Sequence, residues 1–189
     1  MKINNKILWI ILGGLILVIF AIAALNFKLL NIEPSNTKSS NSETSDASNI
    51  KPSDIKPLNS ETFSHTDPNF SLQYPKNISI TKFEDGASET ILLKDPQQKD
   101  TQIFISSFDE DIVLSAERIK KDLPKLVIEN PTEVMIGGKV KAVSFTSTNN
   151  LAIPTREVWF VYNGYLYQIS IPLEIESAIG EILKTWKFN

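Results

Sequence analysis

The chain has 189 residues, of which 42% are hydrophobic and 22% charged, and this average composition excludes a collagen-like, coiled-coil or fully disordered protein. Nineteen basic and 22 acidic side chains give a formal net charge of −3, which is too little positive charge to hold a nucleic acid by its phosphates. The chain has no cysteine and His65 is its single histidine, so we predict no disulfide, no metal, no cofactor and no catalytic residue.

Residues 7–25 form an apolar run without a single charge. As a helix this run would rise about 29 Å, close to the ~30 Å thickness of the hydrocarbon core of a bilayer. Lys2 and Lys6 precede it, and positive charge stays inside, so everything after Lys28 is expected outside the cytoplasm. Residues 1–30 are therefore predicted to be a cytoplasmic tip and an uncleaved anchor that contacts the lipid of the cell membrane.

A cleaved secretory signal is the alternative for this segment. The small residues Ala21-Ile22-Ala23 have a cleavage-like spacing. A signal peptide would, however, have a shorter apolar region and a polar stretch before the cut. Whether the segment is cleaved stays open at this point.

Residues 31–61 differ sharply in composition from what precedes and follows them. About half of the positions in this segment are Ser, Thr or Asn, prolines are scattered through it, and it has no aromatic residue. Such a segment buries too little apolar surface to offset the entropy lost on ordering it. We predict a disordered linker with an end-to-end span of roughly 30 Å.

Residues 62–189 are predicted to be one folded domain. Alternation of apolar and polar residues indicates strands at 70–74, 78–83, 89–93 and 101–106. A turn at residues 84–86 lies between the second and third of these strands, so we expect them to form a hairpin.

The period of the apolar residues changes after the acidic triplet at 109–111. Ile112, Ala116, Ile119 and Leu123 lie on one face of a helix, and charged residues occupy the other face. This spacing predicts an amphipathic helix of about three turns that ends at Pro124.

Two glycine-containing turns predict further hairpins. Gly137-Gly138 is expected to be a two-residue loop within the β-rich segment 132–147. Asn163-Gly164, which favours a type I′ turn, joins the two halves of the β-rich segment 156–171.

A second amphipathic helix is predicted after Pro172. Its apolar positions run from Ile175 to Trp186 at helical spacing, and it must pack on a sheet. Strands that meander through hairpins, interrupted by one helix and closed by another, predict an α+β domain with a largely antiparallel sheet.

The order of these segments resembles a known family, the PsbP/Mog1-like superfamily. The resemblance spans residues 63–188 and is carried by 62–63 (TF), 70–75 (FSLQYP), 136–142 (IGGKVKA), 162–167 (YNGYLY) and 182–188 (ILKTWKF). It implies an antiparallel sheet sandwiched between helices, an α/β/α arrangement. It carries over no catalytic residue, because none is defined for the family as a whole. The N-terminal anchor is typical of the bacterial envelope members rather than of the photosynthetic branch.

The second glycine hairpin is rich in aromatic residues. Trp159 and Phe160 must point to opposite faces of their strand, so they cannot share one core. If helices cover both faces of the sheet, the aromatic residues are structural, and if one face is bare they form a binding patch. The candidate binding patch consists of Trp159, Phe160, Tyr162, Tyr165 and Tyr167.

The acidic triplet and the single histidine are two further candidate sites. The acidic triplet Asp109-Glu110-Asp111 has carboxylates of the kind that Ca²⁺ prefers, but it lacks the spacing of a dedicated calcium loop. A solvated helix start is the simpler interpretation, and cation binding stays open. His65 lies in a polar stretch without a second histidine, so we predict a surface or capping role for it.

Two functions from different classes follow from these observations. The first is a non-enzymatic binding or assembly module that is anchored in the membrane, faces the extracytoplasmic space and binds an envelope protein. The second is a small-ligand or cation-binding domain, or a hydrolase that uses two carboxylates. Candidates for such a carboxylate pair are Asp109, Glu110, Asp111, Glu129 and Glu157.

Overall fold

The structure, a computed structural model, describes residues 60–97, 99–148 and 153–189. The predicted anchor at 7–25 and all but the last two residues of the predicted linker lie outside the described residues. Within the described ranges, neither helix is long and apolar enough to cross a membrane.

The domain has ten strands and two α-helices within its described residues. In chain order they are β1 (Ser60–Thr66), β2 (Asn69–Pro75), β3 (Ser79–Asp85), β4 (Ser88–Lys94), β5 (Thr101–Ser107), α1 (Ala116–Asp122), β6 (Glu129–Ile136), β7 (Val140–Thr148), β8 (Pro154–Tyr162), β9 (Tyr165–Pro172), a 3₁₀ turn (Leu173–Ile175), α2 (Glu176–Lys184) and β10 (Lys187–Phe188).

The strands form two antiparallel sheets. The larger sheet has seven strands in the order β3-β4-β5-β9-β8-β7-β6. The smaller sheet has the order β1-β2-β10, so the last strand of the chain pairs with the second. The predicted α+β class with a largely antiparallel sheet is confirmed, but the separate three-stranded sheet was not foreseen.

A hydrophobic core lies on each face of the seven-stranded sheet, because successive side chains of a strand point to opposite faces. On one face, here called the α2 face, the sheet packs against α2, β2 and Trp186. On the other, here called the α1 face, it packs against α1 and the segments beside it. In β8, Val158 and Phe160 point to the α2 face, whereas Trp159 and Val161 point to the α1 face.

Both helices are shorter than their apolar spacing predicts. Helix α1 begins at Ala116 rather than Ile112, because the hydroxyl of Ser115 accepts a hydrogen bond from the Arg118 N–H and caps it. Ile112 packs against the core without being helical. Helix α2 ends at Lys184, and Trp186 reaches the core from beyond the helix. Apolar side chains are therefore buried beyond both helix ends, and a prediction from their spacing alone makes the helices too long.

The two glycine hairpins form where they were predicted. Gly137, Gly138, Asn163 and Gly164 all have positive φ, as type I′ turns require. The Asn163-Gly164 turn has two residues, since Tyr162 pairs with Tyr165. The Gly137-Gly138 turn also includes Lys139, because Ile136 pairs with Val140, so the predicted two-residue loop is wrong by one residue.

Candidate functional site: a polar pocket at the hairpin tips

An open pocket of about 280 Å³ lies where several turns meet at one end of the sheets. It is bounded by the β1–β2 turn, the β3–β4 turn, the last residues of β5 and the first residue of β9. The lining residues are Asp67, Pro68, Glu84, Gly86, Ala87, Ser88, Glu89, Ile105, Ser106, Ser107 and Tyr165. Carboxylates and hydroxyls dominate this lining.

His65 lies buried behind the pocket and joins the two sheets. Its Nε2 is 2.7 Å from Oε2 of Glu89 on β4, and its Nδ1 is 2.8 Å from the carbonyl oxygen of Pro68. The ring also stacks on Phe70, with centroids 5.0 Å apart. The expected surface or capping role for His65 is therefore wrong. Its position two residues after Phe63 on a strand was the available signal, since both side chains then share a face.

The hydrogen bonds of His65 constrain where protons lie. A backbone carbonyl can only accept, so Nδ1 carries a proton and donates it to Pro68. Nε2 faces a carboxylate oxygen, so a second proton must lie between the ring and Glu89. The other Glu89 oxygen is 2.9 Å from Nζ of Lys82. Both ring nitrogens are thus occupied by partners within the fold.

The rim of the pocket is held by a second polar pair. The phenol of Tyr165 donates a hydrogen bond of 2.8 Å to Oδ1 of Asp67 in the β1–β2 turn. This bond raises the pKa of Tyr165 above its ordinary value, because the carboxylate favours the protonated phenol. Ser107 is the direct cross-strand neighbour of Tyr165 and is exposed.

The carboxylates and hydroxyls of the pocket can bind polar groups. The one imidazole of the chain is engaged by Pro68 and Glu89 and is not free to act as a base for the hydroxyls. In the described part of the chain, no three His, Asp or Glu side chains are placed to hold a metal ion.

Four of the five aromatic residues proposed as a binding patch pack on the α2 face, and the fifth, Trp159, packs on the α1 face. Phe160 and Tyr167 are fully buried on the α2 face, where their rings stack with centroids 4.5 Å apart. Trp159 is buried on the α1 face and lies edge-on to Phe145. Tyr162 and Tyr165 are only partly buried. The five side chains therefore do not lie together on one surface.

The five candidate carboxylates do not line this pocket. Glu110 forms a bidentate pair with Arg118, at 2.7 and 2.8 Å. Asp109, Asp111 and Glu129 are exposed. The fifth carboxylate, Glu157, is buried inside the domain.

Glu157 is held by three neutral hydrogen-bond donors on the α1 face. The hydroxyls of Thr155 and Ser170 each donate to Oε1 at 2.7 Å, and the indole N–H of Trp159 donates to Oε2 at 3.0 Å. Burial raises the pKa of Glu157, and the three donors only partly oppose that effect. The two-residue spacing from Glu157 to Trp159 was the signal that this carboxyl shares a buried face.

Among known proteins, the matches to this chain are solved structures. No protein-family model matches the sequence, and no curated protein matches it either. A solved structure of cyanobacterial PsbP (CyanoP) from Synechocystis sp. PCC 6803 is similar, with a TM-score of 0.48 and 9% sequence identity over 74% of this chain and 98% of that chain.

Proposed function

We propose that this chain is a single-pass membrane protein whose domain at residues 62–189 is a non-enzymatic binding or assembly module at the cell envelope. Residues 7–25 span the cytoplasmic membrane with the N-terminus inside, and residues 31–61 are the spacer. The domain faces the extracytoplasmic space, as in the bacterial envelope members of the PsbP/Mog1-like superfamily. The uncharged apolar run and the Ser/Thr/Asn-rich segment support this arrangement.

One observation supports binding rather than catalysis most directly. The only histidine of the chain is buried, and both of its ring nitrogens are bonded, to Pro68 and to Glu89. The pocket beside it presents carboxylates and hydroxyls, which can recognise a polar surface, and the neighbouring imidazole is not free to act as a general base. We therefore assign the partner-binding role to this pocket, with an envelope protein as the partner.

Membrane topology is the first test of this proposal. The full chain, with an N-terminal epitope tag, is expressed in a bacterial host, and intact spheroplasts are treated with protease. We expect the domain to be digested, the tag to be protected, and the anchor to resist extraction at alkaline pH. Recovery of the untreated chain from the cytosol would contradict the proposal.

Site-specific photo-crosslinking tests the binding role of the pocket. A photoreactive residue is placed at Ser107, which is an exposed pocket residue, and at Lys141, an exposed control on β7 outside the lining. We expect a discrete adduct from position 107 only, and less of it when Tyr165→Phe removes the hydrogen bond to Asp67. Equal adducts from both positions, or none, would argue against binding at the pocket.

A further inference from the structure

The two edges of the seven-stranded sheet differ in how open they are. The β6 edge has a register shift between Glu129 and Thr132, a proline at 131 that lacks an N–H, and a positive φ of 50° at Asn130. Such features prevent another strand from pairing with an edge. The β3 edge has neither proline nor register shift over its seven residues. Only the β3 edge is regular enough to extend the sheet.

The side chains of β3 divide cleanly between the two faces. Ile80 packs on the α2 face, so Lys82 and Glu84 share that face. Phe83 points to the opposite face and is 51% exposed, which is unusual for so large an apolar side chain. Lys82 already pairs with Glu89, whereas in the described part of the chain Glu84 has no cationic partner.

We propose that β3 pairs antiparallel with β3 of a second copy of this chain, with Phe83 opposite the Phe83 of that copy. In this register Lys82 of each copy lies directly opposite Glu84 of the other, which creates two pairs of opposite charge. Thr81 lies opposite Asp85 in the same way, and the two exposed phenylalanines cover each other. The contact is isologous, as expected of a two-fold symmetric dimer.

Neighbouring registers of the same symmetry are unfavourable. A shift in one direction places Lys82 opposite Lys82, and a shift in the other places Glu84 opposite Glu84. Like charges directly opposite each other destabilise a strand pair. The charges of Lys82 and Glu84 disfavour pairing with an unrelated strand. With a second copy of this chain, the same charges favour one register. The interface shares Glu84 with the lining of the pocket, but it requires neither a partner in the pocket nor the membrane anchor.

Cysteine crosslinking of the full chain tests the interface, because the chain has no cysteine of its own. Phe83→Cys and the control Met135→Cys, on the blunted β6 edge, are each oxidised with copper phenanthroline in detergent. The two native side chains are matched in exposure, at 51% and 50%. We expect a disulfide-linked dimer from Phe83→Cys at several times the yield of Met135→Cys. Equal yields would overturn the proposal.

Charge reversal provides a second measurement that leaves the fold intact. Glu84 lies opposite Glu89 within the chain, so Glu84→Lys removes a local repulsion while it breaks both pairs of the dimer. We expect the dimer to dissociate roughly tenfold more readily, measured by sedimentation of the full chain. The double variant K82E/E84K should restore association, and Glu133→Lys on β6 should leave it unchanged. Unchanged association in Glu84→Lys, or its loss in Glu133→Lys, would place the contact elsewhere.

Discussion

At the scale of single residues, Glu157 is the most unusual side chain in the domain. Its carboxyl group is buried, and its hydrogen-bond partners Thr155, Ser170 and Trp159 are all neutral. Burial disfavours the charged form of a carboxyl group, so the folded protein holds the proton to a higher pH than the unfolded chain does. This difference in proton affinity couples folding to pH.

The sign of the coupling follows from the raised pKa. Below the ordinary carboxyl pKa, Glu157 is protonated in both states and its contribution to stability is fully present. As the pH rises toward the pKa of the folded state, that contribution is lost at up to about 1.4 kcal/mol per pH unit. We predict that the difference in free energy of unfolding between the native chain and Glu157→Gln falls with rising pH in this window.

Urea unfolding of both chains in mild detergent, between pH 4 and pH 8, measures this difference. The amide of Glu157→Gln can keep all three hydrogen bonds, because its oxygen can accept from Trp159 while its NH₂ group donates to the hydroxyls of Thr155 and Ser170, so a pH-independent offset of less than about 1 kcal/mol is expected. A difference that does not vary with pH would show that Glu157 has an ordinary proton affinity when folded.

The sequence pattern predicted which side chains are buried better than it predicted the hydrogen-bond partners of the buried polar ones. Alternation along β8 and β9 indicated that the aromatic residues would divide between two faces, as Trp159 and Phe160 do. Glu89, which pairs with His65, and Ser170, one of the three partners of Glu157, come from other strands, at registers that one strand's pattern does not contain. The pocket was missed for the same reason, since four separate turns and strand ends build it.

At the scale of elements, the two glycines of the Gly137-Gly138 turn are needed for different reasons. Both residues have positive φ, at 58° and 64°. A Cβ on Gly137 would lie 2.5 Å from the carbonyl oxygen of Trp186, whereas a Cβ on Gly138 would have no atom within 4 Å. Gly137 is therefore needed for a close approach of two backbones as well as for its conformation.

Alanine substitution at the two glycines measures this difference. We predict that Gly138→Ala lowers the free energy of unfolding by about 1 kcal/mol, from the left-handed conformation alone. Gly137→Ala should lower it by about 2 kcal/mol more, because the backbone of Trp186 cannot yield without strain. Equal losses in urea unfolding would mean that the β6–β7 turn moves freely away from Trp186.

Helix α2 contains a glycine that the structure does not require. Gly180 is interior to the helix, and a Cβ there would meet no atom within 4 Å. Alanine has a higher helix propensity than glycine, so Gly180→Ala should raise the free energy of unfolding by about 0.5–1 kcal/mol. Ala178→Gly, at an exposed position of the same helix, is the reciprocal control and should lower it by a similar amount. A loss of stability in Gly180→Ala would indicate a contact of this glycine that its surroundings do not suggest.

Elements set by local chemistry were the most predictable. The Asn163-Gly164 turn needs only two residues that tolerate positive φ, and it was placed correctly. Strand β10 depends instead on pairing with β2, more than a hundred residues earlier in the chain, and the periodicity of residues 182–188 indicated a helix there.

At the scale of the whole molecule, the two sheets are joined by packing and by one buried polar pair. Trp186 stacks on Phe70 of the small sheet, with centroids 4.3 Å apart. The His65–Glu89 pair links β1 of the small sheet to β4 of the large one, with side chains only 2% and 14% exposed. Sequence patterns give no information on which sheets face each other, and hence none on this link.

The His65–Glu89 link predicts that two side-chain pairs of nearly equal length contribute very differently to the free energy of unfolding. The Lys184–Glu181 pair on α2 has a contact of 2.6 Å, close to the 2.7 Å of the buried pair, but both of its side chains are more than 70% exposed. Exposed pairs contribute little because water screens them and long side chains lose entropy in forming them. Breaking a buried pair leaves a partner that water cannot solvate.

We therefore predict that Glu89→Ala, which removes the carboxylate partner of His65, lowers the free energy of unfolding by about 2 kcal/mol, whereas Glu181→Ala changes it by less than about 0.5 kcal/mol. Urea unfolding in mild detergent checks both values. Hydrogen exchange of β1 and β2 should also increase in Glu89→Ala more than exchange of β8 and β9, because the small sheet loses its polar attachment to the large one. Equal effects of the two substitutions would mean that packing around Phe70 and Trp186 alone holds the sheets together.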